Sequence, residues 1–135
     1  MSNDPRAAVA AMEARAAARL AEVTAHPEKL STLGGTLARI AAEKPDATAV
    51  WFEGEALSWE ALHRLSNRIA RGLAAKGVKQ GDYVTIALPN GPGFIEACYA
   101  AWKVGAVPQP VSARLPQAEL KAIADLANGP VVIGA

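Results

Sequence analysis

The sequence predicts an α/β fold in which a β-hairpin precedes βαβαβ units of a parallel sheet with flanking helices. Three observations predict it. The runs TAVWFE (48–53) and ALS (56–58) are joined by a tight glycine turn, as in a hairpin. From Tyr83 onward, short strand-like runs alternate with helical segments, the pattern of right-handed crossovers in a parallel sheet. The 135 residues are 51% hydrophobic and 20% charged, which supplies a real core and excludes a disordered composition.

The elements follow in chain order. Asp4 can cap a first helix with Pro5 at its tolerated first position. Val9, Met12, Ala16, Leu20 and Val23 follow helical spacing, but the stripe is shallow, so this helix is peripheral and ends at His26-Pro27. The N-terminus is Ala- and Arg-rich like a transit peptide, yet Asp4, Glu13 and Glu22 interrupt it. It is read as a leading helix, folded or half-folded, with no apolar core of a signal peptide. A linker through Gly34-Gly35 comes next, then a short helix with Leu37 and Ile40 that stops before Pro45. The expected division is a leading helix and linker over 1–30, and the main domain over 31–135.

In the hairpin, Gly54-Glu55 suits a type II′ turn. Ser58 caps a long helix whose Leu62, Leu65, Ile69 and Leu73 share a face, with Glu60 at the favourable end of the dipole and Gly77 as the stop. A strand over 83–88 leads to a helix over 92–104, apolar nearly all round and therefore sandwiched. Gly105 breaks it before a strand near 106–110. A helix opened by Pro116 and closed by Asn128-Gly129 leads to the strand PVVIGA. The chain stops at that strand with no covering element after it, so part of the expected cover of a parallel sheet lies elsewhere.

Composition excludes several functions. Net charge is +1 and the basic residues are scattered, so no stripe suits nucleic acid. Cys98 is the only cysteine, which rules out an intrachain disulfide and fits a reducing cytoplasm. No apolar run is long enough to span a membrane.

Candidate sites are few. The loop Pro89-Asn90-Gly91-Pro92-Gly93 lies between a strand and a helix, where amides can hold an anion. It is no dinucleotide fingerprint, because Glu96 stands where the third glycine belongs and Pro92 lacks a donor. It is read as a turn opening a buried helix. Cys98 reads as a small buried hydrophobe, and His26 and His63 as boundary residues outside any metal-ligand spacing. Trp51, Trp59 and Trp102 are expected in the core. Arg114, between two prolines and directly before a helix, could grip a phosphate. Spacing alone favours an ordinary surface arginine or a helix-cap partner.

Several motifs in order carry a resemblance over roughly residues 31–135. Leu57-Ser58-Trp59-Glu60-Ala61-Leu62 is similar to a Leu-Ser/Thr-Tyr-x-x-Leu segment, with Trp59 for the tyrosine. Gly81-Asp82-Tyr83-Val84, Leu88-Pro89-Asn90 and Lys103-Val104-Gly105-Ala106 with Pro108 follow at matching spacings. The chain thus resembles the opening part of the adenylate-forming (AMP-binding) acyl-CoA synthetases and ligases. Gln109-Pro110 and Arg114-Leu115-Pro116 are closer to the acyl- and aryl-CoA ligase pattern Asn-Pro-Arg-Leu than to peptide synthetases, although Ser112-Ala113 depart from its Asn-Pro.

The resemblance implies an enzyme that activates a carboxylate with ATP and Mg²⁺ and passes the acyl group to CoA. It implies Arg114 near the nucleotide phosphate of CoA. It also implies that the phosphate loop and its lysine, the acyl pocket, the ribose-binding aspartate and the catalytic lysine lie past Ala135. No catalytic or metal residue is then expected within the chain, and its partner is the remainder of the parent polypeptide. The competing expectation is a stand-alone α/β interaction module without catalysis.

Overall fold

The computed structural model describes residues 5–25 and 31–134. Contacts divide the chain into two units, Met1–Ser31 and Thr32–Ala135. The first is the helix α1 (Pro5–Ala25), whose Val9, Met12 and Leu20 are exposed. Asp4 and His26-Pro27, expected as its cap and its end, lie outside the described residues.

The second unit opens with α2 (Leu33–Glu43). Here the structure corrects the sequence reading, because Gly34 and Gly35 form the first helical turn and not a linker. The Thr32 side chain accepts a hydrogen bond from the Gly35 amide at 2.9 Å, satisfying a donor that helix geometry leaves orphaned. That cap moves the helix start ahead of the glycines.

The hairpin consists of β1 (Thr48–Phe52) and β2 (Glu55–Ser58), antiparallel, with Phe52 opposite Glu55. The two-residue loop is therefore Glu53-Gly54, not Gly54-Glu55. Both have positive φ, 50° and 89°, the signature of a type I′ turn and not of the expected II′. The register shifts between Thr48 and Val50, an irregularity in which Ala49 is the extra residue. Such a slip exchanges faces along a strand. Trp51 consequently points outward and is 68% exposed, against the expectation of a core tryptophan. A two-stranded ribbon packed by one side on a helix has no second interior to receive it.

The next helix, α3 (Trp59–Ala75), begins at Ser58, whose Oγ accepts from the Ala61 amide at 3.1 Å, as expected. It ends ahead of Gly77, whose φ of 87° no β-carbon residue adopts readily. Leu62, Ser66, Ala70 and Leu73 form its buried side; Leu65 and Ile69 flank it half-buried.

The parallel sheet has the order β4-β3-β5, from β3 (Tyr83–Ile86), β4 (Val107–Pro110) and β5 (Val131–Ile133). Between them run α4 (Pro92–Lys103) and α5 (Gln117–Ala127), the latter closed by Asn128 in the left-handed region. β4 contains Pro108 and Pro110, which lack an amide donor and suit an edge position. Side chains alternate along β3. Val84 and Ile86 are buried with α3 and α4 residues, while Thr85 faces the other way and bonds Gln109 Oε1 at 2.9 Å.

Helix α4 is enclosed as its composition predicts, but through an unexpected side. Ala97, Cys98, Ala100 and Ala101 are buried, whereas Phe94, Ile95, Tyr99 and Trp102 are half-buried, with Tyr99 and Trp102 meeting edge to face at 5.2 Å. Small side chains let helix backbones approach closely, so the larger ones are left at the periphery.

Leu62 is 1% exposed at the centre of the helical layer. Leu62→Ala is expected to lower unfolding free energy by about 3 kcal/mol, whereas Trp51→Ser should change it by less than about 0.5 kcal/mol. Urea denaturation of both variants checks this; a larger loss for Trp51→Ser would place the hairpin face in an interior.

Candidate functional site

Loops leaving the carboxyl ends of parallel strands are where open α/β sheets place ligands. Residues Leu88-Pro89-Asn90 leave β3, and Pro110 to Arg114 leave β4. Together with Phe94 of the first turn of α4 they line an open groove of about 480 Å³. The topology thus brings the two sequence candidates, the 89–93 loop and Arg114, into one place. The loop is held on its other side by the hairpin: a β-carbon on Gly91 would sit 3.6 Å from the Phe52 ring.

Arg114 is exposed at the rim. Its backbone amide donates to Ser112 Oγ at 3.2 Å, a local turn that fixes the loop. Among the described residues its guanidinium has no carboxylate partner. It is not a cap for α5, where Pro116 holds the cap position without a side-chain bond. Among the described residues the arginine thus keeps its bidentate donors available beside a groove lined by Leu88, Pro110 and Val111, suited to an anionic group on a ligand of mixed polarity.

A second polar cluster lies on the helical side of the sheet, and only part of it was visible in sequence. Lys103, the last residue of α4, reaches back to α3. Its Nζ lies 3.0 Å from His63 Nδ1, 3.0 Å from the His63 carbonyl and 2.7 Å from Asn67 Oδ1. His63 Nε2 is 3.3 Å from Asn67 Nδ2. His63 is the boundary residue expected, but with a defined partner. Helix α2 closes over the lysine stem, and a β-carbon on Gly34 would fall 2.8 Å from Lys103 Cγ. Burial pulls Lys103 down from 10.5 to about 8. His63 is lowered by burial and then by the Lys103 charge, with Glu60 opposing. The signal that could have found it is His63 and Asn67 one helical turn apart, beside a lysine ending an otherwise apolar helix.

The remaining candidates stay structural. Cys98 is buried and burial raises its thiol, which keeps it protonated and inert. Among the described residues no three His, Cys, Asp or Glu side chains converge to hold a metal ion. No helix among them is long and apolar enough to cross a membrane.

The fold is that of the N-terminal subdomain of adenylate-forming enzymes, a small antiparallel sheet beside a three-stranded parallel one. Residues 37–134 match the AMP-binding enzyme family, and the chain belongs to it. It is 43% identical over 94 residues to a feruloyl-CoA synthase from Amycolatopsis sp, covering 69% of this chain and 19% of that protein. It is 38% identical over 98 residues to the fatty acid–[acyl-carrier-protein] ligase ScoC of Streptomyces coeruleorubidus, covering 73% and 19%. The inhibitor-bound N-terminal domain of FACL13 from Mycobacterium tuberculosis superposes with a TM-score of 0.69 at 30% identity, over 76% of this chain and 26% of that one. The chain therefore spans about a fifth of the length of these two curated relatives.

The lowered Lys103 value fixes a pH dependence. Between pH 8 and 10.5 the unfolded chain binds more protons than the folded one, so this residue's contribution to stability rises with pH across that window. Wild type should therefore gain on Lys103→Met as pH is raised from 7.5 to 9.5, read as urea midpoints. A constant difference between the two proteins would show that Lys103 does not titrate in that window.

Proposed function

We propose that this chain is the opening part of an AMP-forming acid–CoA ligase. The parent enzyme joins a carboxylate to ATP, releasing pyrophosphate and leaving an acyl-adenylate; the thiol of CoA then displaces AMP and forms the thioester. Membership of the AMP-binding family over 37–134, with relatives named as ligases of acids to CoA or to a carrier protein, supports this reading. It weighs against a stand-alone interaction module without catalysis.

One observation carries the role of this segment: Arg114, without a carboxylate partner among the described residues, stands at the rim of a groove at the carboxyl ends of β3 and β4. In this reading its guanidinium binds the nucleotide phosphate of CoA and positions the acceptor for the second half-reaction. The match to an acyl-carrier-protein ligase favours a second reading of the acceptor, in which the thiol belongs to a carrier protein. The exposed edges of the parallel sheet are where the rest of the parent polypeptide packs; Val107 on β4 and Val132 on β5 are both left open. ATP and Mg²⁺ are cofactors of the parent enzyme, and no step of their chemistry is assigned to residues of this segment. The buried, protonated Cys98 thiol is in keeping with a cytoplasmic protein.

Two outcomes are expected. In the complete enzyme, Arg114→Glu should raise the KM for CoA about tenfold, the loss of one charge-assisted phosphate contact, while acid-dependent pyrophosphate exchange stays at the wild-type rate. An unchanged KM removes Arg114 from the acceptor site. The 135-residue chain alone should show no pyrophosphate exchange, because adenylyl transfer requires positioned cations and amides that this segment does not supply; measurable exchange would overturn the assignment of catalysis to the rest of the enzyme.

A further inference from the structure

The cluster joining α4 to α3 can be read by counting hydrogen atoms. It contains four close contacts: Lys103 Nζ to His63 Nδ1, to the His63 carbonyl and to Asn67 Oδ1, and His63 Nε2 to Asn67 Nδ2. A charged ammonium has three donors and no acceptor, so it fills the first three contacts by donating. His63 Nδ1 must then accept, which puts the ring proton on Nε2. That N–H faces the Asn67 amide N–H₂, a donor against a donor. Exchanging the amide oxygen and nitrogen does not rescue the ammonium, because the conflict moves to the 2.7 Å contact with Nζ.

A neutral amine satisfies all four. Its lone pair accepts from His63 Nδ1–H, its two hydrogens go to the His63 carbonyl and Asn67 Oδ1, and His63 Nε2 accepts from Asn67 Nδ2–H. We propose that this cluster is a proton-operated buckle between α3 and α4, closed when Lys103 gives up a proton and His63 passes from the Nε2–H to the Nδ1–H tautomer. The proton leaves to solvent through the adjoining open cavity of about 440 Å³. The lowering of Lys103 by burial to about 8 brings this event within the pH range the chain withstands folded.

Among the described residues few other charges face the buckle. From α3 these are Glu60, one turn before His63, and Arg71, which lines the cavity. Helix α2 contributes Gly34 to the lining, and its Arg39 and Glu43 are paired with each other at 3.0 Å. From α4 there is only Lys103 itself. The buckle therefore titrates through the lysine–histidine pair.

The test is ring-nitrogen NMR of ¹⁵N-histidine-labelled chain, with Lys103 followed through its ¹³Cε resonance, from pH 6.5 to 10. The expected result is that the protonated-type and bare-type nitrogen resonances of His63 exchange identity with the same midpoint as Lys103. A single His63 tautomer throughout the Lys103 titration overturns the proposal. Asn67→Asp supplies acceptors to both Nζ and Nε2–H, so it should shift the Lys103 midpoint upward and hold His63 as Nε2–H across the range. Continued tautomer exchange in the Asn67→Asp variant would equally refute the mechanism.

Discussion

The close approach of α4 to α2 and α3 is the constraint from which the rest of this structure follows. The interface is made of small groups: Ala97, Ala100 and Ala101 on one side, Ser66, Ala70 and Gly34 on the others. Backbones this near leave room for few large side chains, so the layer is anchored by Leu37 and Leu62 and sealed against the sheet by Val84 and Ile86. Dense contact between small atoms substitutes for bulk apolar area.

The same closeness explains a lysine inside the helical layer. Lys103 leaves α4 where Gly34 removes the one β-carbon that would block its stem. Its head is carried to His63 and Asn67 because the amphipathic stem is covered while the nitrogen still requires partners. Leaving such a group unpaired is costly, so the contact ties three helices into one layer. On the opposite side of β3 the packing is thinner. Thr85 is covered by a side-chain pair with Gln109, and Leu120 is the one buried residue of α5.

Much of this was legible along the chain because local rules carried it. Ser58 and Gly77 bound α3 as cap and stop wherever the helix happens to pack, since capping is decided within one turn. β3 and β5 follow from their β-branched runs, and β4 from the glycine break at Gly105 and the helices on either side. Local rules failed where two elements compete. Gly34-Gly35 resembles a linker until Thr32 caps the helix in front of it, and Glu53-Gly54 takes the turn because strand register, not glycine position, chooses the loop. Trp51 faces outward for a related reason: one irregular residue at Ala49 turns the strand's faces over.

Of the candidate site, the sequence by itself determined the ingredients: the proline- and glycine-rich loop at 89–93, and an arginine between prolines at 114. Local spacing also fixed the order of strands and helices along the chain. Only the tertiary structure decided that both loops open on one groove, because a parallel sheet gathers the carboxyl ends of strands distant in sequence. It alone decided that Lys103 meets His63 across 40 residues. Such a contact depends on how closely two helices approach, a distance set by the small residues between them and not by the polar residues that meet there.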